Sequence, residues 1–216
     1  MNQETKILSI VGIVTVILLV GAVFLLSRQG AATPLSETVD TALLVKDYNH
    51  KVSTDSAKIT LVEFADFQCP ACGSAFPTIQ RLKDEYKKDV TFVFRHFPLA
   101  QHPHGKPAAR AAEAAGEQGK FWEMYVKLFS NQTNWENTNN FQSVAEGYAS
   151  ELQLDLEKFK SDMKSSQIED RINNDVSDAI KLNVNSTPTF FLNGERLVGA
   201  PSYETLKSKI ETQLKK

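Results

Sequence analysis

The sequence predicts a mixed α/β fold, with a small sheet, helices on both of its faces and a helical insertion. Two apolar stretches rich in β-branched residues, Lys58–Phe67 and Asp89–Leu99, predict strands on either side of a helix. The connection from Pro98 to Pro188 is too long for a loop or a single crossover helix. Because its apolar residues recur at helical spacing, it predicts an insertion of several helices at about residues 104–183.

The helix between the two strands begins at a pair of cysteines. Its apolar residues recur three and four positions apart, which predicts one buried face: Cys72, Ala75, Phe76, Ile79, Leu82 and Tyr86. Pro77 lies within this pattern, removes one backbone donor and is expected to kink the helix.

The C-terminal part predicts a hairpin followed by a helix. Thr189–Leu192 and Arg196–Val198 are the strands, and Asn193 and Gly194 form a two-residue turn of the kind that joins antiparallel strands. Ser202 is the expected N-cap of the last helix. The buried side of that helix is predicted to carry Tyr203, Leu206, Ile210 and Leu214.

The N-terminus predicts a membrane anchor. Residues Ile7–Leu26 carry no charge, and a helix of that length spans ~30 Å, the thickness of the hydrocarbon core of a bilayer. A cleaved signal peptide is the alternative, with Gly30–Ala32 as a cleavage site. The predicted organisation is a short tail (1–6), a transmembrane helix (7–26), a linker (27–42) and a folded domain (43–216).

Composition narrows the function classes. The 216 residues are 42% hydrophobic and 23% charged, as in ordinary globular proteins, and the net charge is −2. The charge balance therefore gives no electrostatic argument for binding nucleic acid.

Cys69 and Cys72 are the two cysteines of the chain, in the stretch "VEFADFQCPACGSAFP". A structural disulfide would close a very short loop and remove little chain entropy. A zinc site would need two more ligands, for which His102 and His104 are the candidates. Two free buried cysteines are the third alternative.

Thiol–disulfide exchange accounts for the number, spacing and position of the cysteines together. A helix N-terminus has unpaired N–H groups and a partial positive charge, which stabilise a thiolate. Cys69 is therefore expected to be the accessible, attacking thiolate. Cys72, one turn further on, faces the apolar side and can resolve a mixed disulfide. Asp66 complicates this interpretation, because an acid close to Cys69 would disfavour the thiolate.

Three stretches resemble the DsbA-type thiol–disulfide oxidoreductases, which have a thioredoxin fold. Phe67–Cys72 resembles their active-site motif, Arg95–Phe129 is similar to the start of their helical insertion, and Ser186–Ala200 resembles their cis-proline loop. The resemblance covers roughly Leu43 to the C-terminus and implies a thioredoxin-like fold with a helical insertion.

The resemblance also implies roles for particular residues. Cys69 and Cys72 form the redox-active disulfide, and Glu63 is the base that moves the proton of Cys72. Pro188 is the cis-proline that faces the disulfide. The remaining assignments are the active-site dipeptide, Pro70 and Ala71, and the substrate contacts, Thr187 and Phe67. No metal or bound organic cofactor is implied.

The implied function is that of a bacterial plasma-membrane oxidase, with one membrane span and its catalytic domain on the extracytoplasmic side. Its expected partners are reduced exported proteins and a quinone-linked membrane oxidoreductase of the DsbB or vitamin-K-epoxide-reductase type, and a monomer is expected. Two alternatives stay open: a reductase or isomerase of the same fold, and a non-catalytic tethered peptide-binding module.

Overall fold

The computed structural model describes residues 15, 21, 39 and 41–215. The helices and strands of residues 41–215 lie in the second of the two units into which the chain divides, Glu37–Lys216. In chain order they are α1 (Thr41–Leu44), β1 (Lys51–Val52), β2 (Ile59–Ala65), α2 (Pro70–Glu85), β3 (Val90–His96), α3 (Gly105–Gly116), α4 (Phe121–Ser130), α5 (Gln132–Trp135), α6 (Phe141–Glu151), α7 (Leu156–Asp162), α8 (Ser166–Lys181), β4 (Thr189–Leu192), β5 (Glu195–Val198) and α9 (Tyr203–Leu214).

Within the described residues the strands form one five-stranded sheet in the order β1-β3-β2-β4-β5. The central strands β2 and β3 are parallel, and the other pairs are antiparallel. Residues of β2 and β3 are buried on both faces, which explains their continuous apolar sequence. The mixed α/β class predicted from the sequence is therefore confirmed.

The predicted hairpin is confirmed, with β5 beginning one residue earlier than expected. Asn193 and Gly194 have φ angles of 47° and 86°, the left-handed values that this tight turn requires. Ser202 caps α9, since its side chain accepts a hydrogen bond from the Thr205 N–H. The helix after the cysteines continues through Pro77 to Glu85.

In the described part of the chain, six helices (α3–α8) lie between β3 and β4 and build a separate apolar core. Among the described residues that core includes eight buried aromatic side chains, and Cys69 and Cys72 belong to it together with Ala65 of β2 and Phe94 of β3. The redox pair therefore lies where the helical insertion meets the sheet.

A buried arginine joins the sheet to this insertion. Arg95 on β3 is fully buried, and its Nε lies 2.6 Å from Asp175 Oδ1 on α8. Its other two nitrogens reach Asp178 Oδ2 at 2.9 Å and the Leu44 carbonyl at 2.8 Å. The guanidinium therefore connects β3, α8 and α1 by three charge-assisted hydrogen bonds.

The predicted transmembrane segment, residues 7–26, lies outside the described residues apart from Thr15 and Gly21. Among the residues that are described, none of the helices has both the length and the apolar composition needed to span a bilayer. Helix α1 begins at Thr41, inside the stretch predicted as linker (27–42). Four residues are too few for the helical period to show in the sequence.

Candidate active site

The cysteine pair lies at the N-terminus of α2, as the sequence predicts. Cys69 is the N-cap residue in an extended conformation (φ −69°, ψ 122°), and Pro70 is the first helical residue. Proline suits that position because its missing N–H would have no partner there anyway. Both residues are buried, but Cys69 keeps 6% of its surface exposed whereas Cys72 has none.

The surroundings of Cys69 favour its thiolate. A hydrogen bond from the Cys72 thiol, helped by the Thr187 side chain and the N–H groups of Cys72 and Ala71, lowers its pKa from 9.0 to about 5, although burial opposes the change. Near neutral pH, Cys69 is therefore almost entirely the nucleophilic form.

The Thr187–Pro188 peptide bond is cis, as the resemblance implies. Thr187 meets the reacting sulfur directly, because the Cys69 thiol donates to its carbonyl at 3.5 Å. The buried Thr187 hydroxyl meets no partner within hydrogen-bond geometry among the described residues, which leaves it available to the sulfur. Thr187 therefore borders the reacting atom and is in place to contact a substrate there.

Cys72 has the opposite environment. Burial, together with the charges of Cys69 and Glu63, raises the pKa of its thiol well above 9.0. Cys72 is therefore protonated at neutral pH and needs a base before it can attack a mixed disulfide.

Glu63, the residue to which the resemblance assigns that role, acts on the Cys72 thiol through its charge. It lies on β2 between Phe94 of β3 and Phe190 of β4, and it is 5% exposed. Burial raises its pKa from 4.5 to about 7, against the opposing effects of the Tyr125 hydroxyl, 3.3 Å from Oε2, and of Lys83. A carboxylate with a pKa near 7 can both accept and release a proton at physiological pH.

Lys83 and a small cavity connect Glu63 to the surface. Glu63, Lys83 and Trp122 line a cavity of about 10 Å³, the size of one water molecule. The ammonium group of Lys83 lies over the Trp122 ring, 3.7 Å from its centroid, and burial lowers its pKa to about 8. Lys83 and Trp122 also line a groove open to solvent, so they stand between Glu63 and bulk water.

The carboxylate of Asp66 is bound by the loops around the active site. Its buried carboxylate accepts hydrogen bonds from the Gln68 and Leu99 N–H groups at 2.8 Å, and His102 Nδ1 lies 2.6 Å away. The acid is therefore used to fix the loops around the active site. His102 and His104, the candidates for a zinc site, are bound to Asp66 and to the Thr138 carbonyl.

Phe67 is a correction to the predicted site. The resemblance implies a substrate contact, but the Phe67 side chain is 1% exposed. Its ring stacks on Phe94 and packs at a tilt against Phe129, with ring centroids 5.0 and 4.9 Å away. The chain leaves the sheet at Ala65, so the alternation of strand positions no longer decides which way Phe67 points. Phe67 belongs to the core of the insertion.

Pro70 lies beside a polar groove of about 560 Å³. The groove is lined by Gln68 and by polar side chains from two further loops: Gln101, His102, His104, Glu136, Asn137, Thr138 and Asn139. Gln68 ties both loops to the active site, because its amide donates to the Glu136 carbonyl at 2.7 Å and accepts from the His104 N–H at 2.6 Å.

Replacing Glu63 with glutamine tests its role. Attack of Cys72 on a mixed disulfide, the step that needs a base, is expected to slow by about 10²-fold or more above pH 7, a typical contribution of a general base. The difference in this step should disappear below pH 6, where Glu63 is itself protonated. Rates measured by stopped flow from pH 5 to 9 check this, and equal rates at pH 8 would exclude the role.

The same substitution should stabilise the protein at high pH. The folded protein holds the proton of Glu63 more tightly (pKa about 7) than the unfolded chain does (4.5), so stability falls as pH rises through this interval. At pH 8 the penalty is ~3 kcal/mol. Urea unfolding at pH 8 should therefore show that Glu63→Gln is more stable, and at pH 4 equally stable.

Comparison with known proteins agrees with this geometry. A family model described as thioredoxin matches residues 48–212. Among curated proteins, the Na(+)/H(+) antiporter NhaA 1 of Salinispora arenicola is 38% identical over 165 residues, which is 76% of this chain and 24% of that protein. NhaA of Herminiimonas arsenicoxydans is 36% identical over 165 residues, 76% of this chain and 25% of that protein. This chain thus spans about a quarter of their length.

Solved structures share the fold. A thioredoxin-like oxidoreductase from Silicibacter pomeroyi DSS-3 has 26% identity and a TM-score of 0.70, over 81% of this chain and 97% of that one. Oxidised BdbD from Bacillus subtilis has 25% identity and a TM-score of 0.70, over 78% and 94%. The chain belongs to the thioredoxin family, and its fold is similar to that of solved thioredoxin-like oxidoreductases.

Proposed function

We propose that this chain is an oxidase that introduces disulfides into exported proteins. The observation that carries the proposal is the stabilised Cys69 thiolate at the N-terminus of α2. The thiolate exists only in the reduced protein, so its stabilisation favours reduction of the Cys69–Cys72 disulfide. A disulfide that is readily reduced is a good oxidant of other thiols.

The chemistry needs two exchange steps. A substrate thiolate attacks Cys69 Sγ, the Cys69–Cys72 bond breaks, and Cys72 leaves as a thiolate that takes its proton from protonated Glu63. A second thiolate of the same substrate then attacks the substrate sulfur of the mixed disulfide, and Cys69 leaves as the stabilised thiolate. Two electrons pass from the substrate dithiol to the protein, and the substrate keeps the new disulfide.

The groove beside Pro70 supports a polypeptide substrate. Its side-chain amides can both donate to and accept from a peptide main chain, whatever the sequence of that chain. Thr187, next to the sulfur, offers a further contact. This arrangement suits extended, reduced polypeptides that bring one of their own cysteines next to Cys69.

Equilibration with glutathione tests the direction of the reaction. We expect a reduction potential between the values of about −270 mV for thioredoxin and about −120 mV for DsbA. A potential at or below that of thioredoxin would favour the reductase or isomerase alternative. Failure to oxidise a reduced two-cysteine peptide, with Cys69→Ser as the control, would favour a peptide-binding module.

The proposed setting is the extracytoplasmic face of a bacterial plasma membrane, with residues 7–26 as the anchor. A quinone-linked membrane oxidoreductase of the DsbB or vitamin-K-epoxide-reductase type would then restore the disulfide. The apolar, uncharged sequence of residues 7–26 supports this setting. Retention of the full chain in membranes after alkaline carbonate washing is expected, whereas a soluble form beginning near Thr33 would mean that the segment is cleaved.

A further inference from the structure

The active-site loop is held by a glutamine from the helical insertion. Gln132, the first residue of α5, is 7% exposed, and its side-chain amide nitrogen lies 2.7 Å from the Phe67 carbonyl and 2.9 Å from the Cys69 carbonyl. One buried amide group therefore binds the main chain on both sides of Gln68, next to the reacting sulfur.

Gly73 makes room for this amide. A Cβ atom added at Gly73 would lie 2.9 Å from Gln132 Cδ and closer still to Oε1, inside contact distance. The Gly73 N–H also donates to the Cys69 carbonyl at 3.1 Å. The Cys69 carbonyl thus accepts from Gly73 and from Gln132, and only glycine at position 73 permits both as they stand.

These contacts fix the first turn of α2, which carries the groups that stabilise the thiolate. The N–H groups of Ala71 and Cys72 are directed at Cys69 Sγ and help to lower the pKa of its thiol. They act on the sulfur only while the loop before the helix keeps its position, because hydrogen bonds weaken steeply with distance and angle.

We propose that Gln132 is a positioning residue, through which the helical insertion sets the reactivity of the Cys69 thiol. Gln132 touches neither sulfur; it acts through the Phe67 and Cys69 carbonyls. The inference rests on the proposed function only in that Cys69 is the reacting thiol. A merely structural glutamine would change the stability of the fold and leave the sulfur chemistry unaltered.

Gln132→Leu removes both hydrogen bonds and replaces the amide side chain with an apolar one of similar size. Gln118→Leu is the matched control, since Gln118 also makes two main-chain hydrogen bonds within the insertion, to Asp155, away from the active site. The readouts are the pH midpoint of Cys69 alkylation in the reduced protein and the equilibrium with glutathione. For Gln132→Leu we expect the midpoint to rise by about one unit and the oxidising equilibrium constant to fall about tenfold.

Gly73→Ala tests the same contact from the other side. It should push the Gln132 amide away and shift the midpoint in the same direction, although alanine favours the helix over glycine. The double variant Gly73→Ala/Gln132→Leu should shift no further than the larger single change, because both remove one contact. If Gln132→Leu does not fold, Gly73→Ala decides the matter alone.

The inference would be overturned if the ionisation constant of Cys69 and the glutathione equilibrium constant of Gln132→Leu and Gly73→Ala stayed within twofold of wild type. It would also be overturned if they did not differ from those of Gln118→Leu. The alkylation midpoint does not require that the protein oxidise anything. If the wild-type protein fails to oxidise peptides but the alkylation midpoint is higher in Gln132→Leu than in wild type, the proposed function is refuted and the role of Gln132 stands.

Discussion

Cys72→Ala is expected to stop the protein at the mixed-disulfide stage. With Ellman's reagent, the Cys69 thiolate attacks the reagent disulfide, one thionitrobenzoate is released and the other stays on Cys69. In the wild-type protein Cys72 then attacks this mixed disulfide and releases the second thionitrobenzoate. We therefore expect two equivalents of the coloured thiolate from the wild type and one from Cys72→Ala.

The physical reason is the contrast between the two sulfurs. Only Cys69 is exposed at all, and the surrounding donors lower the pKa of its thiol to about 5 while burial raises that of Cys72. Cys69→Ala is the reciprocal variant and should react at least about 10²-fold more slowly at pH 7, because few Cys72 thiols are ionised. Fast release of one equivalent by Cys69→Ala would reverse the assigned roles.

Arg95→Met is expected to cause a large loss of stability. Methionine replaces the apolar part of the side chain but leaves Asp175, which is 2% exposed, without its cation. Removing one partner of a buried ion pair typically costs ~3–5 kcal/mol, because the remaining charge stays buried. Urea unfolding at pH 7 should show a loss of this size.

Arg110→Met is the control for that measurement. Arg110 on α3 pairs with Glu169 on α8, but it is one third exposed. An exposed pair of this kind contributes ~0.2–1 kcal/mol. If Arg95→Met cost no more than Arg110→Met, the network of Arg95 would not be what holds β3 to the insertion.

The chemistry of the site can largely be predicted from the sequence, because its central residues are close along the chain or carry a strong local signal. Cys69 at the helix N-terminus and Cys72 on the apolar face follow from spacing and periodicity, whereas the role of Glu63 follows from the resemblance. The cis peptide bond at Pro188 follows from the resemblance, since proline alone allows cis without requiring it.

The residues that support these groups could not be predicted from the sequence, because no local signal marks them. Tyr125 and Gln132 act on the site from distant parts of the chain and Lys83 from the far end of α2, and each looks like an ordinary helix residue in sequence. Two-residue strand β1 is too short to show a period. The prediction for Phe67 is wrong because closeness to Cys69 along the chain does not determine which way a side chain points.

The pH dependence of Cys69 alkylation in the reduced protein tests the central claim most directly. Iodoacetamide should modify Cys69, identified by peptide mass spectrometry, with a rate that rises to half its maximum near pH 5 and then stays constant through pH 8. Cys72 should remain unmodified while the protein is folded. A Cys69 rate that still climbs through pH 8 to 9, as for an ordinary thiol, or modification of Cys72 first, would contradict the account.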